Sequence, residues 1–155
     1  MKLGVLIFGL FVTHFVFAQS ILPTGCEPLE IKGESLILNP KKTDLIFIHN
    51  MTKMDIWITH PVRNPSASAG WSSRLQSDNW SALVVSKKSF ELTCIESKPG
   101  HEQQIPCEGA IAACRWNHVR KSAKSKGTFW GAENKSLSAL KAAVGARGFV
   151  LKQKS

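Results

Sequence analysis

All four cysteines of the chain lie beyond an apolar N-terminal run, and this arrangement limits what the rest of the sequence can form. The run follows Lys2 and extends over residues 3–17, and Ala18 comes directly after it, so that the segment closes with Val16-Phe17-Ala18. It is too short to span a bilayer comfortably, and its last residues match the pattern that signal peptidase cleaves. The sequence therefore predicts a signal peptide over residues 1–18 and a single mature domain over residues 19–155, with an uncleaved membrane anchor as the alternative.

An exported protein reaches an oxidising compartment, where an even number of cysteines favours disulfide bonds. The four half-cystines, Cys26, Cys94, Cys107 and Cys114, permit three pairings. Cys107 and Cys114 are close enough in sequence to close a small ring, which would leave Cys26 to tie the N-terminal segment to the strand of Cys94. A metal or thiol site is the alternative, but no CxxC motif occurs and Cys114-x-x-x-His118 has no matching partners.

Short apolar runs with turn signals between them predict a mainly β-structure. Four runs have this character: residues 44–50, 54–60, 81–85 and 90–95. The segment between the first and second runs and the segment between the third and fourth runs are each short enough for a hairpin turn. The first two runs are therefore expected to form one hairpin, and the last two another. Residues 61–79 are rich in Pro, Ser, Ala, Gly and Asn and predict a long structured loop or an irregular edge of the sheet. With the disulfides, this pattern predicts an antiparallel β-sandwich of the immunoglobulin or cupredoxin type.

The C-terminal third has a different composition. Residues 115–155 hold ten basic residues and one acidic residue, Glu133, whereas residues 19–114 hold nine basic and ten acidic residues. The formal net charge of +9 therefore comes from this region. Within it, Ser136 to Val144 predicts one short helix with Gly145 as its C-cap, and residues 149–151 predict a closing strand.

The basic region also interleaves cations with aromatic rings. The candidate partner-binding residues are Arg120, Lys121, Lys124, Lys126 and Trp130. Such a composition pairs with acidic groups and stacks on sugars, so we expect an acidic envelope component or protein as partner, through peripheral membrane or cell-wall contact. Nucleic acid is disfavoured by the compartment, and a monomer is expected. The alternative is an ordinary solvated face whose rings belong to the core.

A second hypothesis is a periplasmic copper site. His49, Met51 and Met54 lie close together in sequence, and His60 follows on what is expected to be the adjacent strand. Imidazole and thioether groups are copper ligands in exported proteins. The alternative is that these side chains pack in the core and bind no metal, because the alternation along the strand places Met54 on the core face together with Ile56. No cofactor is therefore expected.

Catalytic motifs are absent from the sequence. Asp44, Asp55 and Asp78 with the histidines offer pieces of a triad, but no G-x-S-x-G, H-E-x-x-H or P-loop motif occurs. Unordered histidines and serines are common in any exported domain. We therefore expect a protein that binds and is not an enzyme.

Several sequence segments between Cys26 and Trp116 are similar to those of one bacterial protein family. They are Ile46-Phe47-Ile48-His49-Asn50 and residues 55–61, 66–75, 79–83, 90–97, 99–102, 106–107 and 114–116. Together they resemble the enhanced-entry protein B family of Legionella-type intracellular bacteria, and the basic tail contributes little to the likeness. The resemblance implies a small exported protein of the periplasm or cell surface that supports host-cell entry as a virulence trait, with no catalytic residue to carry over.

Overall fold

The computed structural model describes residues 21–61, 71–85, 89–120 and 136–152. Within these ranges the chain forms eleven strands and one helix. The elements are β1 (Cys26–Pro28), β2 (Ser35–Leu38), β3 (Asp44–Asn50), β4 (Ile56–His60), β5 (Trp71–Leu75), β6 (Trp80–Val85), β7 (Phe90–Glu96), β8 (Gln103–Ile105), β9 (Ile111–Trp116), β10 (His118–Arg120), α1 (Leu137–Ala146) and β11 (Phe149–Leu151).

Two antiparallel sheets pack face to face. The first has the strand order β1-β9-β3-β6, and the second has the order β2-β7-β4-β5, with β8 also paired to β7. The central strands pair across the chain order, β3 with β6 and β4 with β7. The immunoglobulin sandwich has the same crossed pairing of its central strands, but here β9 pairs with β3 and lies in the sheet opposite to β7. The predicted mainly β-sandwich with a short C-terminal helix is confirmed.

Both predicted hairpins are wrong. β3 and β4 belong to different sheets, and so do β6 and β7. The first link crosses between the sheets because the Asn50 side chain is buried there and donates to the carbonyl oxygens of Met54, at 2.8 Å, and Leu75, at 3.0 Å. Residues 61–79, expected to form a loop or an irregular edge, contain β5, which is the edge strand of the second sheet and pairs with β4. Residues 62–70 lie outside the described ranges.

The first sheet is buried on both faces. On β3, Ile46 and Ile48 face the inter-sheet core, whereas Leu45 and Phe47 face a second core that includes Leu140 of the helix. Side chains alternate along a strand, so a strand with both faces covered is apolar throughout. This explains why every residue of β3 is buried. The helix and β11 therefore form a third layer on the sandwich.

The predicted helix and closing strand are confirmed, but the end of the helix is not. Ser136 is the N-cap, and its hydroxyl accepts from the Ala139 amide at 3.3 Å. Gly145 lies inside the helix, Arg147 is the C-cap, and Gly148 follows with φ of 86°. The helix thus ends just before Gly148, the glycine that takes the left-handed conformation, and not at Gly145. None of the described helices is long and apolar enough to cross a membrane.

The four cysteines form two disulfides, as predicted, but with a different pairing. Cys26 is bonded to Cys114, and Cys94 is bonded to Cys107. The predicted ring of Cys107 with Cys114 is wrong because these side chains lie in different cores. Cys107 packs in the inter-sheet core with Cys94, and Cys114 packs in the second core with Cys26. Each disulfide thus cross-links one core.

Candidate functional site

A cleft of about 560 Å³ opens where β3 begins and β9 ends. The link between β2 and β3 contributes Asn39, Lys41 and Lys42 to its walls. The remaining lining residues come from β1, β3, β9, the link between β9 and β10, and the start of β10: Glu27, Asp44, Arg115, Trp116, Asn117 and His118. The cleft therefore lies at the point where the basic C-terminal third leaves the first sheet.

An ion pair forms the floor of this cleft. Arg115 Nε lies 2.9 Å from Oδ2 of Asp44, at an angle outside the hydrogen-bonding range. Side chains alternate along a strand, so Asp44 points to the same face as Ile46, which belongs to the inter-sheet core. The Asp44 side chain is 9% exposed and that of Arg115 is 34% exposed. The pair thus closes one end of the core and presents the guanidinium to the cleft.

Charges of both signs line the cleft with Arg115, with a small excess of positive charge. Lys41 and Lys42 are exposed, and the backbone N–H of Lys152 donates to the Asn117 carbonyl at 2.7 Å. A smaller cavity of about 270 Å³ adjoins the cleft and is also lined by Glu27, Arg115 and Asn117. Three cations and two carboxylates line the cleft, and one of the carboxylates, that of Asp44, is paired with Arg115. The arrangement favours an anionic ligand.

The predicted partner-binding residues begin beside this cleft. Arg120 is the last residue of β10 and pairs with Phe149 of β11. Lys121, Lys124, Lys126 and Trp130 lie outside the described residues. Sequence reasoning missed the lysines of the cleft, although the pair Lys41-Lys42 after Asn39-Pro40 was a visible signal of a charged turn.

His49, the first member of the hypothetical copper site, already has partners. Its Nε2 lies 3.0 Å from Oδ1 of Asp78, and its ring stacks on Trp80 at 4.4 Å. Its Nδ1 is buried and has no hydrogen-bond partner among the described residues. Met51 and Met54 are exposed, so the predicted core position of Met54, which is 42% exposed, is wrong.

His60, the fourth member, belongs to the other sheet. The expectation that it lies on the strand adjacent to His49 is wrong, because β4 pairs with β5 and β7 and not with β3. The ring of His60 stacks on Phe90 at 4.1 Å, and its Nδ1 lies 2.8 Å from the Glu91 carbonyl oxygen. Packed sheets are about 10 Å apart. Among the described residues, no group of three or more His, Cys, Asp or Glu side chains has the geometry of a metal site.

The three aspartates considered for catalysis each hold a structural partner. Asp44 pairs with Arg115 and Asp78 with His49. Asp55 pairs with Arg74, and its Oδ1 accepts from the Ser77 amide at 3.1 Å. Each carboxylate thus fixes the position of a neighbouring side chain or turn.

Comparisons with known proteins return no match, whether to a protein-family model, to a curated protein or to a solved structure. The structure itself defines the class: a mainly β sandwich of two antiparallel sheets with one C-terminal helix and two disulfides. Disulfides of this kind are typical of proteins from oxidising compartments.

Proposed function

We propose that the protein is a non-catalytic binding protein of the bacterial envelope or surface. It docks on an acidic envelope component or partner protein through its basic C-terminal region, and it supports interaction with host cells or entry into them. The resemblance to the enhanced-entry protein B family supports the host-directed role. The apolar N-terminal run and the two disulfides support export to the periplasm or the cell surface.

One observation carries the proposal. The cleft lined by Lys41, Lys42 and Arg115 lies at the start of the region that holds ten basic residues and one acidic residue. Charges that are clustered on one side of a protein attract an oppositely charged partner and raise its rate of association. The nearly neutral remainder of the mature chain offers no comparable excess. The acidic partner is therefore expected to contact the basic C-terminal region, which begins at this cleft.

Charge reversal tests the proposal. Lys121, Lys124 and Lys126 are replaced together by Glu, and the control replaces Lys53, Lys87 and Lys88 by Glu, because these three lysines lie outside the basic C-terminal third. Both variants change the net charge equally. The measurement is co-sedimentation of the mature protein with isolated envelope membranes at low and high ionic strength.

Wild type and control are expected to sediment with the membranes at low ionic strength and to be released by salt, because exposed charges are screened. The variant with reversed charges in the basic region is expected to stay in the supernatant under both conditions. Sedimentation of this variant at the wild-type level would contradict the proposal.

A further inference from the structure

Arg115 is only partly satisfied in the cleft. Its Nε contacts the carboxylate of Asp44, and its terminal nitrogens have no partner among the described residues. Guanidinium donors that face a sheltered cleft gain most from an anion, since hydrogen bonds between ionised groups are stronger than those between neutral ones. Asp44 therefore holds the guanidinium in place and leaves its two-pronged end free for a ligand.

The groups around Arg115 suit a tetrahedral anion. Lys41 and Lys42 line the same cleft as Arg115 and supply positive charge there, and Asn117 is also part of the lining. A carboxylate is satisfied by one guanidinium in a bidentate pair. A phosphate group has further oxygens that can accept from Lys41 and Lys42, whose charges Asp44 does not neutralise. Glu27 also lines the cleft and faces both cavities, so it repels a ligand that extends toward β1.

We infer that this cleft is a phosphate-binding site, with Arg115 as the bidentate anchor and Lys41 and Lys42 as the neutralising cations. The inference rests on the proposed function for the source of the phosphate, which is either a phospholipid headgroup of the envelope or a free phosphate. In this proposal, a phosphate group is the part of the acidic component that binds in the cleft, next to the basic region.

The test is a titration of the mature, disulfide-bonded protein with inorganic phosphate, followed by the amide NMR signals and by calorimetry. The signals of residues 39–42 and 115–118 are expected to shift together with one affinity. Replacing Lys41 and Lys42 by Ala is expected to weaken binding by about tenfold or more, because charge-assisted contacts are lost. The control replaces Lys32 and Lys53, which are exposed elsewhere, and is expected to bind within about twofold of wild type.

Arg115→Lys separates the anchor from charge alone. It keeps the positive charge opposite Asp44 but lacks the planar pair of donors, and it is expected to weaken phosphate binding while the protein stays folded. Absence of shifts in residues 39–42 and 115–118, or unchanged affinity in the Lys41/Lys42 variant, would overturn the inference.

Vesicles distinguish the two sources of phosphate. Binding to vesicles of phosphatidic acid that is competed by inorganic phosphate, with none to phosphatidylcholine vesicles, assigns the site to a lipid headgroup. Binding of inorganic phosphate without vesicle binding assigns it to free phosphate. Either result supports the site, and the co-sedimentation experiment reports separately on the proposed function, because its variants leave Arg115, Lys41 and Lys42 intact.

Discussion

Removal of each disulfide in turn gives a quantitative test of how the two cores are cross-linked. The perturbation is the double replacement of Cys26 and Cys114 by Ala, compared with the double replacement of Cys94 and Cys107. Double variants leave no free thiol that could form a new bond. All four side chains are buried, so the loss of packing is similar in the two variants and largely cancels in the comparison.

The expected difference follows from the loop that each bond closes. The sequence separation is 88 residues for Cys26–Cys114 and 13 residues for Cys94–Cys107. In the chain-entropy model, loops of these lengths correspond to about 4.6 and about 2.9 kcal/mol of stabilisation. The variant that lacks Cys26–Cys114 is therefore expected to be less stable than the other variant by about 1.7 kcal/mol.

The assay is urea unfolding followed by tryptophan fluorescence. The variant without Cys26–Cys114 is also expected to show the larger m-value, because its unfolded chain is released from the longer cross-link and exposes more surface. Peptide mapping of the wild-type protein supplies an independent check of the pairing. Glu108 lies between Cys107 and Cys114, so cleavage after glutamate places these two cysteines on different peptides.

Two results would refute this reasoning. Equal or greater loss of stability on removal of Cys94–Cys107 would show that loop closure does not govern the contribution of these bonds. A peptide that links Cys107 to Cys114 would show that the two cores are not cross-linked separately. The second result can be obtained even if a variant fails to fold.

Three further predictions concern single side chains, each measured by chemical unfolding. Gly145→Ala is expected to stabilise by about 0.5–1 kcal/mol, since the site is helical and open, whereas Gly148→Ala, at φ of 86°, is expected to destabilise by about 1–2 kcal/mol; reversed signs would place the C-cap at Gly145. Leu140→Ala is expected to cost about 2–5 kcal/mol of global stability, and no effect would mean that the helix is not part of the core. Asn50→Ala is expected to lower the free energy of unfolding by about 3 kcal/mol, because its side-chain hydrogen bonds are buried. The control Asn79→Ala removes an exposed side-chain bond and is expected to lower it by less than about 1 kcal/mol. Equal losses would show that the Asn50 side chain does not stabilise the link between the sheets.

The positions of the main strands could be predicted from composition and period, but their partners could not. The run at β3 is apolar on both faces, so its pattern gives no indication of which face meets which layer. Consecutive strands pair often, and this tendency favoured hairpins at residues 50–53 and 86–89. The crossing at Asn50 depends on carbonyl oxygens of Met54 and Leu75, and the second of these is distant in sequence.

The same limit applies to the cysteines and to the cleft. Closeness in sequence favoured Cys107 with Cys114, but the cores to which the side chains belong decide the pairing. The basic character of the C-terminal third was visible from counting. The contribution of Lys41 and Lys42 was not, because they join Arg115 only when β3 and β9 pair.

The two ends of the inter-sheet core are closed in different ways. At one end, the neutral Asn50 side chain is fully buried and makes four hydrogen bonds, to Met54, Leu75 and Thr52. At the other end stand the charges of Asp44 and Arg115, whose desolvation offsets much of their attraction. The Arg115 side chain is 34% exposed, so solvent reaches this charged end of the core, whereas Asn50 is fully buried at the other end. A phosphate bound in the cleft would replace that water at the guanidinium, and the charged end is therefore where the proposed site has to be tested.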